Sequence, residues 1–163
     1  MPGYLLPRDL EGYLRHGEPK ESRYNLRMID WLLASEGTLI QVQHKATGEV
    51  VESFRVPTIV PASRDSGVCI HYDDGKCGVH KGSPTGCKMF NACAVGRKAY
   101  KQERMAGEFQ RELMNTWVRY INKDENLTKD EELYCDLWQH LWDIGRRREN
   151  TKELTTKYQE GVR

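Results

Sequence analysis

The chain lacks any apolar run long enough to cross a membrane. A spanning helix needs about 20 consecutive apolar residues, and the mean hydropathy here is −0.75. It also lacks a dominant charge. Lys and Arg number 25 against 24 Asp and Glu, a formal net charge of +1, so no global field draws it to nucleic acid or to an acidic membrane. Its opening residues, MPGYLLPRDLEGYL, have no basic stretch followed by an apolar one, the pattern of a secretory signal. The expectation is therefore a cytoplasmic, reducing setting, where structural disulfides rarely persist. Absent too are a phosphate-binding loop, a dinucleotide-binding glycine fingerprint, a G-x-S-x-G elbow and an H-E-x-x-H helix. Asp and Glu are plentiful, but no pair has a spacing that singles out acid–base work.

Cysteine is scarce, yet four of the five cysteines fall within residues 69–93, CIHYDDGKCGVHKGSPTGCKMFNAC. A single domain of 163 residues buries roughly 70% of its unfolded surface, so it does not need cross-links to fold. An odd count would also strand one thiol if all paired. Clustered thiols in such a chain point to metal or redox chemistry ahead of a disulfide knot.

The rest of the chain reads as an α+β fold in one domain. Residues 6–17 predict a short helix opened by Pro7, with Leu10, Tyr13 and Leu14 on one stripe. Residues 24–37 predict a second short helix bearing Leu26, Ile29, Leu32 and Leu33. TLIQVQ (38–43) and EVVESFRV (49–56) are β-rich and flank HKATG, a hairpin loop. Pro57 and Pro61 lead into the cysteine segment as extended chain. Ala106, Phe109, Leu113, Trp117 and Ile121 recur at three and four and predict a long helix over 98–122. Thr128 with Glu131 forms a capping-box pattern. It opens a helix with Leu133, Leu137, Leu141 and Ile144 on one flank, expected to stop near Gly145 and Arg146–Arg148. The organisation expected is 1–61 as N-terminal helices and hairpin, 62–97 as cysteine segment, 98–148 as helical pair and 149–163 as polar tail.

The cysteine spacing is Cys69-x7-Cys77-x9-Cys87-x5-Cys93. Asp73-Asp74-Gly75-Lys76 reads as the turn of a small hairpin, with Cys69 on the incoming strand and Cys77 on the returning one. Ser83 suits a helix cap and Pro84 the first helical position. Cys87 then lies in the first turns, where free N–H groups stabilise a thiolate. Four thiolates can thus converge, as a [4Fe–4S] cluster, a [2Fe–2S] cluster or a tetrahedral zinc requires. Spacing alone does not choose the metal. His71 and His80 flank the hairpin and are candidate additional ligands, though a surface or hydrogen-bonded histidine is the plainer reading of each.

The run C-x7-C-G-V-H-K-G-x-P-x-x-C-x-x-F resembles the YkgJ-like cysteine-cluster family, described as zinc- or iron-chelating. The matching core is Cys77, Val79, His80, Pro84, Cys87 and Phe90, preceded by Cys69 and followed by Cys93. The likeness covers roughly residues 30–93. It departs in lacking any cysteine before Cys69, where many members carry C-x-x-C-C, so one four-thiolate centre is the most expected of this chain unless Cys135 or a histidine joins. The resemblance implies iron–sulfur ligation ahead of zinc, and no established reaction.

Cys135, spaced helically with Trp138 and Trp142, reads as a small buried hydrophobe beside aromatic packing. Arg146, Arg147 and Arg148, with Arg97, Lys98, Lys101 and Arg104, read as a solvated face before they read as a phosphate site. The function expected is iron–sulfur binding by Cys69, Cys77, Cys87 and Cys93, for electron transfer or to stabilise an accessory subunit acting with a protein partner. A zinc-stabilised module touching nucleic acid through Arg146–Arg148 is the alternative, and a cysteine-based redox switch or enzyme a third reading. No membrane partner is expected.

Overall fold

The computed structural model describes residues 3–16, 31–37, 39–89 and 95–161, with the backbone alone described for His80 and for 146–161. The fold is α+β: the described residues form three two-stranded antiparallel pairs and two long C-terminal helices. Pro7 opens a 3-10 turn, Pro7–Asp9, which passes into helix α1, Leu10–His16. Leu10 and Tyr13 fill the core side of that helix, as the apolar stripe requires.

The helix expected over 24–37 is corrected where it is described. Leu32–Ser35 is strand β1, paired antiparallel with β4, Thr58–Pro61; residues 24–30 lie outside the described residues. A short apolar run suits either element when no cap settles it. Here the β-branched run Thr58-Ile59-Val60 supplies a strand partner. Between them, β2 (Leu39–Gln43) and β3 (Val50–Arg55) form the expected hairpin around HKATG. Ile40 opposes Phe54, and these two are its part-buried residues, the others being exposed.

The N-terminal chain lies on the other edge of β4. The N–H of Leu5 donates to the Ile59 carbonyl at 2.9 Å. Tyr134 closes this junction. Its hydroxyl donates to the Leu5 carbonyl at 2.7 Å and accepts the Ile59 N–H at 2.9 Å.

Tyr134 belongs to the helical half. Helix α3 spans Arg97–Ile121 and α4 spans Lys129–Gly161. The Glu131 N–H donates to Thr128 Oγ1 at 3.2 Å, so Thr128 caps the helix, while the Glu131 carboxylate expected to complete a capping box lies 2.7 Å from Arg119. The expected stop near Gly145 is corrected: the helix continues to Gly161. A glycine inside a helix costs only about 1 kcal/mol, and no proline follows to break it. Leu113 and Trp117 of α3 join Tyr134, Cys135, Leu137 and Leu141 of α4 in one core with Leu5, Leu6, Leu10, Tyr13, Leu32 and Ile59. Trp117 and Trp138 meet edge to face at 5.5 Å. Their indole N–H groups donate to the carbonyls of Pro57 and Ser35 at 2.8 and 2.9 Å, so this aromatic stripe seats the helices on the strands. Among the described residues no helix is long and apolar enough to cross a membrane.

Candidate metal centre

Leaving β4, the chain makes a narrow loop. Ile70 N–H donates to the Ala62 carbonyl at 2.9 Å and Arg64 N–H to that of Val68 at 2.8 Å. Ser63 and Cys69 form a bridge. The Tyr72 N–H then donates to the Cys69 carbonyl at 3.0 Å, and the chain enters β5, Tyr72–Asp73, and β6, Lys76–Cys77. Asp74 and Gly75, at φ 45° and 75°, make the turn; two successive positive φ values suit an Asp-Gly hairpin. Cys77 faces Tyr72, and Gly78 N–H donates to the His71 carbonyl at 2.8 Å. The hairpin forms as its turn residues predict, with Cys77 on the returning strand. One detail differs: Cys69 sits in the turn ahead of the strand, because its carbonyl is used to close that turn.

Cys87 arrives on helix α2, Thr85–Met89, after a 3-10 turn at His80–Gly82. Both the Cys87 and Lys88 N–H groups donate to the Pro84 carbonyl, at 3.0 and 3.1 Å. The helix therefore starts one residue later than the Ser83–Pro84 pattern predicts. Its first free N–H groups are met by the other end of the chain. Thr85 N–H donates to Asp9 Oδ2 at 2.9 Å, Thr85 Oγ1 to Asp9 Oδ1 at 2.8 Å, and Gly86 N–H to the Tyr4 carbonyl at 3.0 Å.

Cys69, Cys77 and Cys87 are free, part-exposed thiols. Burial pushes Cys87 up, and the neighbouring thiols of Cys69 and Cys77 push the same way, while the Gly3 backbone N–H directed at its sulfur opposes them. Burial also raises Cys69, with Cys77 adding to it; the His71 backbone N–H on its sulfur opposes. The three thiols thus share one electrostatic neighbourhood. A bound cation reverses its effect, because a coordinating thiol is deprotonated outright.

Beneath them lies Tyr13, fully buried. Burial, then the thiols of Cys69, Cys87 and Cys77, hold its phenol well above the ordinary range. Its hydroxyl is hydrogen-bonded to His71 Nε2, and the two rings meet edge-on at 5.3 Å. Burial lowers His71 to about 4, so the imidazole is neutral at physiological pH. The candidate ligand His71 is thus engaged with Tyr13. The side chain of His80 lies outside the described residues, as do Cys93 and the side chains of Arg146, Arg147 and Arg148. Cys135 is fully buried in the core among leucines and aromatics, where burial pushes its thiol up to about 12.

Among the described residues, no group of three or more His, Cys, Asp and Glu side chains is gathered to hold a single metal ion. Thiols are soft donors, and the backbones of Gly3 and His71 favour the charged forms of Cys87 and Cys69.

Reasoning from sequence did not find Gly3, Asp9 or Tyr13. Tyr13 reads only as part of an apolar stripe, and nothing in the spacing of Asp9 or Gly3 connects them to a helix more than 70 residues away. No family model matches the chain, and neither the curated proteins nor the solved structures give a match.

Proposed function

We propose that this protein binds an iron–sulfur cluster, in the first place [4Fe–4S], through Cys69, Cys77, Cys87 and Cys93. The observation that supports the reading is that three free, part-exposed thiols, from a turn, a hairpin strand and a short helix, all act electrostatically on buried Tyr13, which is hydrogen-bonded to His71. Cys93 follows Cys87 by six residues and completes the four ligands such a cluster takes. The resemblance of the Cys77–Phe90 run to the YkgJ-like family leans toward iron over zinc.

A bound cluster supplies one-electron chemistry. The chain's own residues hold the thiols and limit water. Tyr13 and His71 wall the site from the core, and the N–H groups of Gly3 and His71 stabilise negative sulfur. Ligation by four thiolates leaves no vacant iron position, which favours electron transfer or structural support over Lewis-acid catalysis. The thiols are part-exposed and lie beside an exposed hairpin tip, 72–76. A redox partner protein in the cytoplasm could therefore approach closely.

Anaerobic purification with iron, acid-labile sulfide and zinc assays tests the reading. Brown protein with iron and sulfide in equal amounts supports it. Colourless protein carrying one zinc replaces it with a zinc-stabilised module, and protein without metal overturns both.

A further inference from the structure

We propose that Asp9 is the positioning residue for Cys87. Its carboxylate caps, from the opposite end of the sequence, the helix that carries this thiol, so the N-terminal segment is a structural part of the thiol site. The inference deepens the cluster-binding reading and rests on it for its consequence in the loaded protein.

Helix α2 has five residues, Thr85–Met89, too few to stand alone, since isolated helices below about 12 residues are marginal in water. Its leading N–H groups have no partner within the helix. Asp9 meets Thr85 twice, through the N–H and the hydroxyl, and the Tyr4 carbonyl meets Gly86. The carboxylate is itself fixed, because Oδ2 also accepts the Leu6 N–H at 2.9 Å within its own turn. Gly3 lies directly against Cys87.

The close approach is possible only because side chains are missing where the backbones meet. A Cβ on Gly3 would lie 2.2 Å from Cys87 Sγ, and one on Gly86 would lie 2.4 Å from the Tyr4 nitrogen. One on Gly82 would lie 2.5 Å from the Gly12 carbonyl oxygen. Three glycines thus serve one contact, between residues 3–12 and the run leading to Cys87. Where Cys87 sits is decided by the N-terminal segment.

The test is site-resolved alkylation of the full-length protein as purified, with iodoacetamide and mass spectrometry, alongside metal content. Asp9→Ala should speed alkylation of Cys87 about tenfold, the effect of losing a strong cap, with Cys135 unchanged. Asp9→Asn should restore protection, since its amide oxygen can face the two N–H groups while its NH₂ faces the Thr85 hydroxyl. An unchanged Cys87 rate in Asp9→Ala overturns the proposal. If Asp9→Ala opens Cys135 as well, Thr85→Val decides: a two- to threefold rise confined to Cys87 supports the proposal, and no rise overturns it. The two readings fail separately. Wild-type protein without metal, but with Cys87 opened selectively by Asp9→Ala, removes the cluster and keeps the cap. Wild-type protein with metal, and Asp9→Ala with unchanged Cys87 protection, removes the cap and keeps the cluster.

Discussion

Helix α3 and the described part of α4 bury Leu113, Trp117, Tyr134, Cys135, Leu137 and Leu141, whereas the cysteine-bearing stretch 62–89 buries only Ala62, Val79 and Pro84 among its apolar side chains. The helices hold themselves by a repeating apolar face and a local cap at Thr128. The cysteine stretch is held by backbone and carboxylate contacts from residues 3–13. Ordering each residue costs roughly 1–2 kcal/mol of backbone entropy, and one buried aliphatic side chain returns about 1.5–3 kcal/mol. A stretch so poor in buried apolar groups depends on something else, and the two candidates are the N-terminal segment and a bound centre. The difference teaches that stability need not reside where the chemistry does.

The largest effect should come from the ligands. Cys77→Ser or Cys87→Ser should abolish metal retention and render 62–97 protease-sensitive while most helical circular dichroism survives, because metal binding is coupled to the folding of the segment that holds it. The same protease pattern and melting temperature in loaded and metal-free protein would erase the contrast between the two regions.

Next is Tyr134→Phe, which strips one partner from the buried Ile59 N–H and from the Leu5 carbonyl. A loss of about 2–4 kcal/mol in chemical denaturation is expected. A loss well under 1 kcal/mol would show that the two regions are not welded through this hydroxyl. Cys135→Ala should cost less, about 1–3 kcal/mol, with metal content unchanged. Metal loss in that variant, with retention in Cys87→Ser, would reassign the ligands. The smallest effect belongs to Arg15→Ala. Its partner Glu11 stands four residues away on an exposed helix face, and such pairs contribute about 0.3–0.5 kcal/mol. A larger loss would mean that α1 holds its region by more than the Tyr13 side and the Asp9 cap.

Much of this was legible from residue order alone. The β2–β3 hairpin, the start of α3, the Thr128 cap and the turn at Asp74-Gly75 follow from periodicity and turn chemistry, which are local. The place of Cys77 on the returning strand follows from that same turn. Cys135 as a packing residue follows from its helical spacing with tryptophans.

Most of what residue order left open turns on a contact that lies far away along the chain. Leu32-Leu33 carries no local signal that separates helix from strand, and only Thr58–Pro61 lying alongside makes it β1. Gly145 suits a stop, yet a single glycine is too cheap to end a helix that nothing else interrupts. Residue order determined that four thiols lie close in sequence and that two of them share a hairpin. Only the tertiary structure decided where the five-residue helix of Cys87 sits, because its leading N–H groups are met by Asp9 and Tyr4. A capping hydrogen bond is indifferent to the length of chain between its partners.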